Sequence, residues 1–138
     1  MKTIYAHIID TDKLNSIKDL CAKLDINIEL VGYNELGRTV LDIISEDDTK
    51  LSKGIKSANG GIISNDNTAS LNIPLMYNMP EVMIFKGFDE QKLKYFLNEY
   101  RQAGIEKVEL KAMITPYNVA WTLYFLIEHL KKEALLNK

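Results

Sequence analysis

Apolar residues along the chain alternate between short β-branched runs and stretches of helical spacing. Residues 3–9 (TIYAHII) are β-branched and aromatic and predict a strand. Leu14, Ile17, Cys21 and Leu24 then recur at the spacing of a helix over 11–24, with Asp10 or Asp12 as its N-cap. Residues 26–31 (INIELV) predict a second strand. Leu36, Val40, Ile43 and Ile44 place a second helix over 34–45, which Gly37 weakens. After an irregular stretch the pattern returns. EVMIFKGF (81–88) predicts a strand, followed by a helix with Asp89 as N-cap, Gly104 as its stop, and Leu93, Phe96, Leu97 and Tyr100 as its buried stripe. KVELKAMI (107–114) predicts the fourth strand. Thr115 or Asn118 opens the last helix, with Pro116 in its first turn. Its core face is Val119, Leu123, Leu126 and Leu130, widened by Trp121, Tyr124, Phe125 and Ile127.

The two regular parts, 1–45 and 80–134, read as two βαβα halves. With Ile4 set against Met83, Asp10, Lys13 and Leu14 fall on Asp89, Lys92 and Leu93, and Asp25 falls on Gly104. One inserted residue sets IEL (28–30) against VEL (108–110), and a few more set RTVLDII (38–44) against WTLYFLI (121–127). The expectation is an internal duplication in one α/β domain spanning 1–138, a roughly four-stranded sheet covered by helices, with parallel pairing inside each half. Residues 46–79 are the long polar connection. They hold Glu46-Asp47-Asp48, Gly60-Gly61, a short apolar Ile62-Ile63 and the polar run 64–68.

Composition narrows the function classes. Net charge is −2, and the 17 basic residues include only Arg38 and Arg101, so nothing favours a nucleic-acid partner. Single Cys21 forms neither an internal disulfide nor a Cys-x-x-Cys motif. No secretory pattern precedes Ile4, and no apolar run is long enough to cross a membrane. A cytoplasmic setting is the expectation.

The most distinctive stretch is LKAMITPYNVAWTL (110–123). Capping by Thr115 and Asn118 and anchoring by Trp121 explain every residue type in it. The functional reading makes Lys111, Thr115, Asn118 and Trp121 the candidate ligand-binding residues, a polar notch whose free amides and ammonium hold a carboxylate or phosphate. His7 and His129 stand alone, without metal-ligand spacing. Asp10, Asp12 and Asp89 read as caps, and Gly60-Gly61 lacks the Lys-Ser/Thr of a phosphate loop.

Lys111, Ala112, Thr115, Pro116, Asn118, Trp121 and Thr122 fit an LKA-x-x-TP-x-N-x-x-WT pattern. Through it, residues 79–134 resemble an uncharacterised bacterial family known only as a domain of unknown function. The resemblance implies no activity, cofactor or catalytic residue. The leading reading is a non-enzymatic binding or regulatory module, with no cofactor or metal. One alternative is a small enzyme or ligand-binding protein acting on an anionic metabolite. The other is a protein-interaction subunit using the last helix. A homodimer is compatible with each.

Overall fold

A computed structural model of the chain describes residues 2–48 and 77–136. The connection carrying Gly60-Gly61, Ile62-Ile63 and the polar run 64–68 lies outside the described residues, as do the side chains of Glu46, Asp47 and Asp48. The element order is β1 (Thr3–His7), α1 (Thr11–Lys23), β2 (Asn27–Leu30), a 3₁₀ turn (Tyr33–Glu35), α2 (Val40–Asp48), β3 (Val82–Lys86), α3 (Glu90–Gln102), β4 (Leu110–Met113), a second 3₁₀ turn (Asn118–Ala120) and α4 (Leu123–Leu136). The mixed α/β reading with a four-stranded sheet and four helices holds for these residues.

The described chain forms two compact units that cut across the two halves. One comprises Met1–Val31 with Pro80–Ile114, the other Gly32–Met79 with Thr115–Lys138. Each half therefore gives a βαβ segment to the sheet unit and a 3₁₀ turn plus helix to the helical unit.

In the sheet unit the strand order is β2-β1-β3-β4. Pairing is parallel inside each half and antiparallel between β1 and β3. Side chains alternate across a strand. Ile4 and Ala6 of β1 and Met83 and Phe85 of β3 enter a core with Ile17, Leu20 and Cys21 of α1 and Phe96 and Tyr100 of α3. Phe96 meets the rings of Phe85, Phe88 and Tyr100 at centroid distances of 5.7, 6.2 and 5.9 Å. Thr3, Tyr5, Val82 and Ile84, on the other face, are buried as well. Burying each of the larger side chains contributes about 1.5–3 kcal/mol.

Both long helices of this unit start and stop alike. The Asp10 carboxylate accepts from the amides of Asp12 and Lys13, and that of Asp89 from the amide of Lys92. Past the helix ends, Asp25 and Gly104 both take the left-handed conformation, at φ 60° and 74°. Asp is one of the few non-glycine residues that visits this region readily.

The halves meet through residues that the sequence alignment makes equivalent. Tyr5 pairs with Ile84 at the centre of the β1–β3 ladder. In the helical unit, Thr39 pairs with Thr122 in an isolated antiparallel bridge. The Val40 amide donates to the Trp121 carbonyl at 2.8 Å, and reciprocally the Leu123 amide donates to the Arg38 carbonyl at 2.9 Å. Each threonine then caps the helix behind it, Thr39 Oγ1 accepting from Asp42 and Thr122 Oγ1 from Phe125.

Three expectations shift. The helix read over 34–45 is a 3₁₀ turn followed by α2 from Val40, because the bridge at Thr39 needs extended backbone before the helix can begin. The last helix opens at Leu123 rather than at Thr115 or Asn118, for the same reason at Thr122. The ladders set β2 Asn27–Leu30 equivalent to β4 Leu110–Met113, so the match of IEL (28–30) to VEL (108–110) is three residues out. The connection after Gly104 is four residues longer than that after Asp25 and absorbs the shift.

Candidate functional site

The strand end and the turn after it place the four candidate residues in different units. Lys111 lies in β4 of the sheet unit; Thr115, Asn118 and Trp121 belong to the helical unit. The Lys111 ammonium, half-buried, donates to the Val108 carbonyl at 2.9 Å. Burial, and then the charge of Lys107, hold its pKa below the ordinary lysine range.

Thr115 and Asn118 close on one another. The Thr115 amide donates to Asn118 Oδ1 at 2.9 Å, and the Asn118 amide donates back to Thr115 Oγ1 at 3.1 Å. The Tyr117 amide donates to the same hydroxyl at 3.2 Å. Amides that an anion would use are thus already engaged by side chains of the turn. Asn118 is buried, which makes these bonds structurally important.

Trp121 departs from its expected role as a core anchor. It is half-buried, and its ring stands edge-on to Phe125 at 4.9 Å and to His129 at 5.0 Å. Phe125 and His129, four apart, share a face of α4, and Trp121, two residues before that helix, packs its ring against both. Leu123, Leu126 and Ile127 fill the buried side of α4, while Phe125 is 53% exposed. In the first half, Arg38 and Asp42 occupy the positions equivalent to Trp121 and Phe125, and they form an ion pair at 2.8 Å.

Two polar clusters escaped the sequence reading. In the sheet unit, the Lys13 ammonium meets Glu81 Oε1 at 2.6 Å and donates to the Lys107 carbonyl at 3.1 Å. Glu81 Oε2 accepts from the amides of Ile9 and Asp10. Burial disfavours the ionised form of Glu81, but the bonds from Lys13, Ile9 and Asp10 outweigh it and hold the carboxyl below its usual range. In the helical unit, the Tyr77 hydroxyl donates to Glu128 at 2.7 Å and Lys131 reaches the same carboxylate at 2.9 Å. The Tyr77 bond and the Lys131 charge lower the Glu128 pKa against the opposing effect of burial. Lys13 and Glu81, and likewise Tyr77 and Glu128, lie too far apart along the chain for spacing to have revealed them.

The remaining reactive groups are held in place. Burial lifts the Cys21 thiol to about 11. His7 Nδ1 lies 3.2 Å from the Val31 carbonyl, and His129 faces Glu133 at 3.7 Å. Among the described residues, no three His, Cys, Asp or Glu side chains come together as a metal ion requires. No described helix is long and apolar enough to cross a membrane.

Residues 81–135 match the model of a family described as a domain of unknown function, DUF3783. The resemblance read from residues 79–134 is borne out over nearly the same span. Neither the curated proteins nor the solved structures give a match to the chain.

Proposed function

We propose that the chain is a non-enzymatic binding or regulatory module, assembled from two diverged copies of one βαβ-3₁₀-α segment. The observation that carries the reading is how the reactive side chains are used. Lys111 is bonded to a carbonyl, the Thr115 hydroxyl serves two amides, Glu81 serves two amides and an ammonium, and Cys21 is buried. Groups tied into architecture hold a shape; an acid–base or nucleophilic role needs a group poised towards substrate. Support for the two copies comes from the equivalent residues that pair with each other, Tyr5 with Ile84 and Thr39 with Thr122. We place the module in the cytoplasm, where a single reduced cysteine is ordinary.

The enzyme alternative needs the corner of Lys111, Thr115 and Asn118 to be open to an anionic metabolite, and the bonds within the turn count against it. The interaction alternative has an observation in its favour. Half-buried Trp121 and exposed Phe125 and His129 form an aromatic ladder where the alignment of the halves sets the Arg38–Asp42 ion pair. Aromatic side chains are enriched at protein interfaces.

A thermal-denaturation panel of carboxylates, phosphates, nucleotides and divalent metals tests the reading, with each organic ligand recovered and weighed by mass spectrometry. A binding module gives a midpoint that rises with the logarithm of ligand concentration for one class, a stabilisation of about 2.7 kcal/mol at a hundred times its Kd, and returns that ligand unchanged. Chemical conversion of a ligand contradicts the reading. A panel without any response transfers the function to the aromatic face of α4.

A further inference from the structure

β2 is an edge strand of the sheet unit, and its backbone is open on one side. The amides of Asn27 and Val31 donate to the carbonyls of Lys2 and Ala6, both at 2.9 Å. Alternation along the strand therefore turns the N–H and C=O groups of Ile28 and Leu30 away from β1. Among the described residues no strand pairs with them. Strand edges are ordinarily blunted by lysine, proline or a bulge. The opposite edge, β4, carries Lys111. β2 (NIEL) has neither lysine nor proline, and its register with β1 runs without a bulge. Ile28 and Leu30 lie on the sheet face that α1 covers, Ile28 at the margin of the core and Leu30 54% exposed.

We propose that this edge takes an extended segment of a partner protein, paired antiparallel, with a basic residue opposite Glu29 and an apolar residue on either side of it. In an antiparallel pair two facing residues exchange both of their backbone bonds, so Ile28 and Leu30 each engage one partner residue fully. The side chains of those two partner residues fall on the α1 face, beside Ile28 and Leu30, and the residue between them falls beside Glu29 on the other face. A second copy of β2 does not fit. Only a two-fold centred on Glu29 engages Ile28 and Leu30 of both copies. That register sets Glu29 directly against its own copy, with Cα atoms about 4.5 Å apart, where like charges repel. In a register shifted either way, the open groups meet Ile26 or Gly32, whose amides are already given to the Cys21 carbonyl and the Glu35 carboxylate. The one charge on β2 thus opposes self-pairing and favours a basic strand. This assignment rests on the binding reading above and adds the class of partner to it.

The probe is the blocked pentapeptide TVKVT, its lysine opposite Glu29 and its valines opposite Ile28 and Leu30. It is titrated into the ¹⁵N-labelled full chain and followed by amide shifts and amide exchange with water. One control is TVEVT, which reverses the central charge. The other is TVKVT with both valine amides N-methylated, which keeps the side chains and removes the pairing donors. In the free chain Ile28 and Leu30 should exchange fast, and Asn27 and Val31 slowly. Saturable shifts and slowed exchange are expected at Ile28 and Leu30 with TVKVT, and neither with the N-methylated peptide. TVEVT should bind about 3- to 5-fold more weakly, the range of an exposed ion pair, and Glu29→Lys should reverse that preference. The peptide comparison uses the unaltered chain and so does not depend on how that variant folds. Slow exchange of Ile28 and Leu30 in the free chain overturns the proposal, because the edge is then already covered. Protection that grows with chain concentration alone gives the edge to a second copy and also overturns it. Equal binding of TVEVT or of the N-methylated peptide overturns it, as does no response to millimolar TVKVT. Failure of the edge is read at Ile28 and Leu30, and failure of the binding reading as ligand conversion in the thermal panel, so the two are distinct.

Discussion

Removing the Lys13 ammonium is the most informative perturbation of the sheet unit. Lys13 and Glu81 meet at 2.6 Å with side-chain exposures of only 9% and 15%. An exposed pair is worth about 0.2–1 kcal/mol, whereas stranding one partner of a fully buried pair costs about 3–5 kcal/mol. Lys13→Met leaves the Glu81 carboxylate with the amides of Ile9 and Asp10, so it is not wholly stranded. The expected cost is therefore intermediate, about 1–3 kcal/mol at pH 7. The pH dependence has a definite sign. The folded Glu81 pKa lies below the ordinary 4.5, so its contribution is complete above the unfolded value and disappears as pH falls through the folded one. The difference between wild type and Lys13→Met should accordingly be full at pH 7 and close in acid, as the carboxyl takes up its proton. Urea denaturation from pH 7 downwards measures this, and a double-mutant cycle with Glu81→Gln isolates the pair. A coupling below about 0.5 kcal/mol, or a difference that does not change with pH, would refute the reasoning.

Other consequences are as direct. Asn118→Ala leaves the half-buried Thr115 amide without its acceptor and should cost about 1–3 kcal/mol by chemical denaturation. Trp121→Ala, at a half-buried site, should cost less than the 3–5 kcal/mol of a fully buried aromatic, and a larger loss would contradict its placement beside exposed Phe125. Lys111→Met should leave stability at pH 7 equal or slightly raised, within about 0.5 kcal/mol, since the charged form is disfavoured in the folded state. Any advantage of that variant should shrink as pH rises and the wild-type lysine loses its proton; a growing advantage contradicts the sign. Native Cys21, buried and with its thiol at about 11, should react with a thiol reagent far more slowly than the unfolded chain, and equal rates would contradict burial.

Local chemistry made much of the fold legible. Asp10 and Asp89 cap helices as read, because a short carboxylate before an apolar helical stripe has few other uses. Asp25 and Gly104 fall at matching helix stops because both tolerate positive φ. Sequence spacing failed where distant backbone decides. The Thr39–Thr122 bridge delays both later helices, and its hydrogen bonds join residues more than eighty positions apart. Apolar residues on both sides of Trp121 point it towards the core, whereas its ring packs edge-on against Phe125 and His129 at a half-buried position. The candidate site was legible only as a list of residue types. That Thr115 and Asn118 spend their polar atoms on each other is a matter of turn geometry.

The claim that the chain binds without turnover is tested most directly by calorimetry. The ligand giving the largest stabilisation in the thermal panel is injected into the chain at constant temperature. Binding predicts heats that decay along a single-site isotherm, with thermal power returning to baseline after every injection. Power that persists between injections in proportion to protein concentration would show catalysis and contradict the account.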